Sequence, residues 1–158
     1  MHKKPQSPQA TGPISPTAAQ AAAIFAGIER LLPEYLANKT DREIGDGNVA
    51  VCIIDEQGSV YGRLFGLDKN RMRQAYKVAW IKASQVWITG MKTGEYEHAV
   101  FTHTVDEKKF GIIRPDFIGW EGGQPFLLKD GTRLSVGVSG MRGTSDLEIA
   151  ARAVAAIG

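Results

Sequence analysis

The chain lacks the equipment of several protein classes. Cys52 is the only cysteine among 158 residues, so no intrachain disulfide can form, which fits a reducing compartment. No segment approaches the roughly 20 apolar residues of a membrane span. The N-terminus, Lys3-Lys4 followed by Pro-Gln-Ser-Pro-Gln, carries no apolar stretch of signal-peptide length. A cytoplasmic protein is therefore expected. The formal charge is only +2, with the basic residues scattered, which argues against a nucleic-acid or membrane surface. Histidines number three. His98 and His103 lie five apart and share neither a helix face nor a strand face, so no metal site is expected even with Asp106 and Glu107 nearby. Either histidine keeps the chemistry of a haem ligand or a general base.

Nucleotide and hydrolase signatures are missing too. Gly45-Asp46-Gly47-Asn48-Val49-Ala50 fits G-x-G-x-x-A but precedes a strand, where the dinucleotide motif joins a strand to a helix. Gly137-Val138-Ser139-Gly140-Met141 has methionine where the serine-hydrolase elbow needs its last glycine. Any catalysis is thereby confined to proton-transfer, elimination or hydrolytic chemistry without a cofactor.

What is present reads as one domain. Apolar content of 43% and charged content of 23% are ordinary, and the length allows a real hydrophobic core. Residues 1–15, with three prolines among polar residues, read as a flexible tail, and residues 16–158 as the domain. Ser15-Pro16-Thr17 opens a helix, with a capping box between Thr17 and Gln20. Ile24, Ile28, Leu31, Leu32 and Tyr35 give its apolar face, and Pro33 predicts a kink or an end. Val49–Asp55 and Val60–Phe65 flank Asp-Glu-Gln-Gly and predict a hairpin. From about Lys69 to Thr89 the chain has neither proline nor glycine and predicts a long helix. Tyr76, Trp80, Ala83 and Trp87 form its face, widened by Ala75 and Ala79, and Gly90 is its stop. Residues 91–122 show weak periodicity and predict a long irregular segment, which in a compact domain is often functional. Pro125–Leu128 and Arg133–Val138 flank Asp-Gly and predict a second hairpin. Ser145 and Glu148 suggest a capping box for a last helix with Leu147, Ala151, Val154 and Ile157 on its apolar face. The order predicts an α+β fold, an antiparallel sheet with helices packed on it.

Four ordered motifs carry a resemblance. They are Val49-Ala-Val-Cys-Ile-Ile-Asp55 followed by Gly58; Ala79-x-x-Lys82-Ala83 with Thr93 eleven residues beyond the lysine; Gly122-Gly123-Gln124-Pro125; and Val136-Gly137-Val138-Ser139-Gly140 with Asp146 in the last helix. Together, over residues 17–158, they resemble the GlcG/HbpS (haem-degrading-domain-like, PduO C-terminal-like) family. The resemblance implies a five-stranded antiparallel sheet flanked by helices, homo-oligomers, and a small-molecule ligand, most often haem. It places Thr93 and Lys82 near that ligand. The closing motif departs from the family pattern, with Ser145-Asp146-Leu147 where Gln-Asp-Glu is usual.

Three constellations could do chemistry. Arg114, Asp116, Trp120 and Glu121 flank glycines in a loop: the guanidinium can grip a carboxylate, the indole can stack on a ring, and either carboxylate can move a proton. The alternative is an exposed loop with ordinary surface charges. Lys82 would have a lowered pKa in an apolar pocket and could act as a base or pair with an anion; a lysine snorkelling to the surface is the alternative. Ser139–Ser145, with Arg142, leads into a helix N-terminus and offers either an anion site or simple capping.

Two functions follow. One is a binding protein holding haem, or a similar compact hydrophobic ligand, between the sheet and the long helix, with Thr93 and Ser139 near it. The other is a cofactor-free lyase or isomerase acting on a small aromatic acid such as a hydroxylaminobenzoate. There Arg114 would hold the carboxylate and Glu121, His98 or Lys82 would transfer a proton.

Overall fold

The computed structural model describes residues 16–158; the expected N-terminal tail lies outside them. Helix α1 spans Pro16–Leu36, a short α2 Lys39–Ile44, the first hairpin is β1 (Val49–Asp55) and β2 (Val60–Phe65), and α3 is Lys69–Thr89. Then come α4 (Thr93–Phe101), a 3-10 turn at Glu107–Phe110, β3 (Gly123–Leu127), β4 (Arg133–Ser139) and α5 (Gly143–Ile157). The sheet is antiparallel in the order β2-β1-β4-β3. It has four strands among the described residues, where the resemblance implied five. The two hairpins supply four, and residues 91–122, the long connection between them, form α4, the 3-10 turn and loop instead.

Every residue of β1 is buried, because helices cover both faces of the sheet. Val49, Val51 and Ile53 with Leu134, Val136 and Val138 form one core with Ile24, Ile28 and Leu32 of α1 and Ile149, Ala150 and Ala153 of α5. Alternate residues Ala50, Cys52 and Ile54 face α3, against Ala79 and Ala83. The α3 face is built to let that helix come close. Gly62, Cys52, Gly137 and Gly123 pair side by side across all four strands. A methyl group on Gly137 would collide with the Ala79 carbonyl oxygen and lie 2.7 Å from the Ala83 nitrogen. The helix backbone itself therefore rests on this row.

That contact corrects the expected faces. Trp80 and Trp87 are 42% and 46% exposed, while Ala79, Lys82, Ala83, Gln85 and Val86 are buried. With its backbone seated on Gly137, α3 lies too close to the sheet for an indole between them, so its small side turns inward. In α5 the buried residues are Ser145, Asp146, Ile149, Ala150 and Ala153; of the face periodicity suggested, Val154 and Ile157 pack partly buried against the same core, while Ala151 is exposed. Neither capping box forms. Helix α1 already runs from Pro16, and Gln20 donates to Asp130 at 2.7 Å. Helix α5 starts at Gly143 with Arg142 at its cap, and the Ser145 hydroxyl is turned to Asp41. Pro33 lies inside α1, which ends three residues later at Leu36. Gly90 ends α3 in the left-handed region at φ 70°, as its position predicts.

Candidate functional site

At Gly137 the row of small residues brings the α3 backbone onto the sheet, so space opens toward the ends of the helix. A hollow of about 490 Å³ lies between the C-terminal end of α3 and the sheet, beside Val86, Trp87, Phe126 and Ser135. The candidate site lies toward the other end, where the end of β4, the turn into α5 and the Trp120–Glu121 loop converge. It is a cleft of about 590 Å³. Ile44, Ala75, Val78, Trp120 and Met141 give it apolar walls; Arg71, Gln74, Glu121, Ser139 and Arg142 add polar groups, and Lys82 and Asp146 line it as well.

Lys82 and Asp146 are almost wholly buried, their side chains 3% and 2% exposed. The Lys82 ammonium donates to the Val138 carbonyl at 2.8 Å and to Asp146 Oδ2 at 3.3 Å. Asp146 Oδ1 accepts from the Met141 backbone N–H at 3.3 Å. Burial pushes the Asp146 carboxyl up to about 7, against the opposing pull of Lys82, and burial lowers the lysine from its usual range. The two therefore titrate as a coupled pair. Gly122, at φ 125°, closes over them: a Cβ there would lie 2.6 Å from the Lys82 nitrogen and 3.1 Å from Asp146 Cβ. Only glycine meets both the dihedral and the space.

A second buried carboxylate fixes the rim. Asp41 of α2, capped by Asn38, is 1% exposed. It accepts from the Arg142 Nε at 2.9 Å, Nη2 at 3.0 Å and backbone N–H at 3.0 Å, and from the Ser145 hydroxyl at 2.8 Å. These bonds, led by the Arg142 side chain, hold the Asp41 carboxyl below the usual carboxylate range. Arg142 is thus pinned at the cleft wall while about half its side chain stays exposed.

The loop that forms the other wall is held at three points. The Gln85 amide donates to the Ile118 carbonyl at 2.7 Å and accepts from the Ile118 N–H at 2.9 Å. Thr93, fully buried, donates to the Trp120 carbonyl at 2.6 Å and accepts from the Gly123 N–H at 3.4 Å. Its hydroxyl is thus bonded to the loop backbone.

Of the residues singled out from sequence, the cleft brings together Lys82, Trp120, Glu121 and Ser139. Thr93, His98 and Glu121 line an adjoining hollow of about 390 Å³. Asp116 lines a third hollow, beside Trp80, Trp87 and Ile113. Arg114 is not among the cleft residues; it pairs with Glu107 at 3.7 Å and lies 5.5 Å from the Phe101 ring centre. Sequence reasoning missed Asp41, because the six-residue α2 has no readable apolar face. The aspartate three residues after Asn38, a cap-forming pattern, was the only available signal. It also missed the pairing of Lys82 with Asp146, which are 64 residues apart.

No family model and no curated protein matches the chain. Solved structures do. HbpS is 19% identical, with a TM-score of 0.57 over 99% of both chains. The Klebsiella pneumoniae protein ORFY, of the family DUF336, is 19% identical, with a TM-score of 0.64 over 98% of this chain and 95% of that one. PduOC, solved as a complex with haem, is 20% identical, with a TM-score of 0.60 over 85% of this chain and 92% of its own. The chain has the fold of the GlcG/HbpS-like proteins, as its ordered motifs imply.

Proposed function

We propose that the chain is a small-molecule-binding protein whose ligand sits in the cleft between α3, the end of β4, the turn into α5 and the Trp120–Glu121 loop. The observation that carries this reading is the chemistry of the cleft: apolar walls, an exposed indole, and cations at Arg71, Arg142 and Lys82. A compact flat ligand with an acidic group matches it. Haem, the ligand in the PduOC structure, would find apolar walls for its ring and arginines for its propionates. Among the described residues the cleft offers the Met141 thioether as an iron donor and no histidine, cysteine or tyrosine, and the Lys82 nitrogen is bonded to Val138 and Asp146.

A second reading, a cofactor-free lyase or isomerase on a small aromatic acid, is favoured by the Lys82–Asp146 pair. A carboxyl near 7 beside a lysine of lowered pKa can give or take a proton at neutral pH. Assembly of copies belongs to the same proposal, supported by Trp80, Trp87 and Ile88, each more than two-fifths exposed along α3.

Titration of the purified protein with haem, followed in the Soret region, and with small aromatic acids by calorimetry tests the reading. Saturable one-site binding that Val78→Arg abolishes is the expected result. Binding that survives this blockage would put the ligand elsewhere. Turnover of a hydroxylaminobenzoate, lost in Asp146→Asn, would favour the enzyme.

A further inference from the structure

Lys82 is 3% exposed and lines the cleft, yet its bonding is incomplete. An ammonium carries three N–H donors. The Val138 carbonyl takes one and Asp146 Oδ2 another. The third has no acceptor among the described residues. A buried donor without a partner is costly, and a ligand oxygen would satisfy it. The charges around the pair sharpen the requirement. Asp146 of α5 is bonded to Lys82 and feels the charge of Asp41 of α2, while Arg71 of α3, Arg142 at the head of α5 and Glu121 of the loop line the same cleft. Asp41 is taken up by Arg142 and Ser145.

Building on the cleft reading above, we propose that Lys82 is the anchor for a carboxylate or comparable oxyanion on a flat organic ligand, and that Asp146 takes up a proton when that anion binds. With Asp146 ionised, the pair is neutral overall and its carboxylate repels an incoming anion. With Asp146 protonated, the lysine charge is uncompensated and attracts one. Binding an anion therefore stabilises the protonated aspartic acid, and the ligand and proton bind cooperatively. The ring would lie against Ala75, Val78 and Trp120, with Arg142, fixed by Asp41, at the rim.

The test uses two probes of similar shape, benzoate and uncharged benzyl alcohol, titrated calorimetrically into the whole protein from about pH 5 to pH 9. Benzoate affinity should be level below about pH 7 and fall by up to about tenfold per pH unit above it. Runs in two buffers of different ionisation enthalpy should show uptake of about one proton in that upper range. Benzyl alcohol should show neither effect. Asp146→Asn should remove the proton uptake, and Lys82→Met should remove the preference for benzoate while leaving benzyl alcohol bound. Level benzoate affinity across the whole range in the wild-type protein, which needs no variant to fold, overturns the proposal. Benzyl alcohol binding without any benzoate binding also overturns it, yet leaves the cleft reading standing. Failure of both probes and of haem sinks the two together.

Discussion

Replacing Lys82 by methionine keeps most of the stem volume and removes the buried charge. The consequence depends on pH in a way the structure fixes. In the folded wild type the Asp146 carboxyl titrates near 7; in the unfolded chain it titrates near about 3.9. Between those values the folded state holds a proton that the unfolded state has released. This raised carboxyl therefore contributes stability that is complete at low pH and lost as pH rises through about 7. Without Lys82 the same carboxyl loses its cation and moves higher still, so the loss continues past 7. Below 7 the variant should cost about 1 kcal/mol, for the buried Val138 carbonyl left without its donor. Above 7 the cost should grow by about 1.4 kcal/mol per pH unit, reaching about 3 kcal/mol near pH 8.5, the lower end of what breaking a buried pair costs. Urea unfolding at pH 6, 7 and 8.5, each value about those stated, measures it. The double variant Lys82→Met/Asp146→Leu should lose the pH-dependent part. An equal cost at all three pH values, or a double variant as pH-sensitive as the single, would refute the assignment of the pair.

The glycine row gives a second prediction. Gly137→Ala forces a methyl into the α3 backbone and should cost about 1–3 kcal/mol or more in urea unfolding. Gly62→Ala meets only the Tyr76 ring and should cost less; equal losses would mean that α3 does not rest on Gly137. Thr93→Val should cost about 1–2 kcal/mol, since the Gly123 N–H is left buried and unpaired, and should raise amide exchange in residues 118–123. Unchanged exchange there would show that Gln85 alone holds the loop.

Much of the scaffold was legible because local chemistry and tertiary demand agree. Strand β1 is an unbroken apolar run and proves to be covered on both faces. Helix α3 has no breaker before Gly90, which takes the left-handed conformation. The failures occur where a distant partner decides. Trp80 and Trp87 looked like the core face, but the strand glycines that seat α3 lie up to about sixty positions away and favour its alanines. Ser145 looked like a cap until Asp41 claimed its hydroxyl. The candidate site divides the same way. Lys82, Trp120, Glu121 and Ser139 were marked by residue type and neighbours, and the cleft unites them. Arg114, equally plausible as a carboxylate grip, is held at Glu107 and Phe101 instead. Nothing in the sequence near it records that choice.

The lone cysteine offers an internal gauge of breathing motions. Cys52 lies under α3, fully buried, with the Tyr76 hydroxyl 3.8 Å from its sulfur and its thiol pushed up to about 11 by burial. In the closed molecule it is neither reachable nor a thiolate, so a thiol reagent can attack only during moments when α3 lifts from the sheet. With no second thiol to confuse the signal, the labelling rate reads the free energy of that one opening. A ligand that grips Lys82 on the same helix would register as a slower clock.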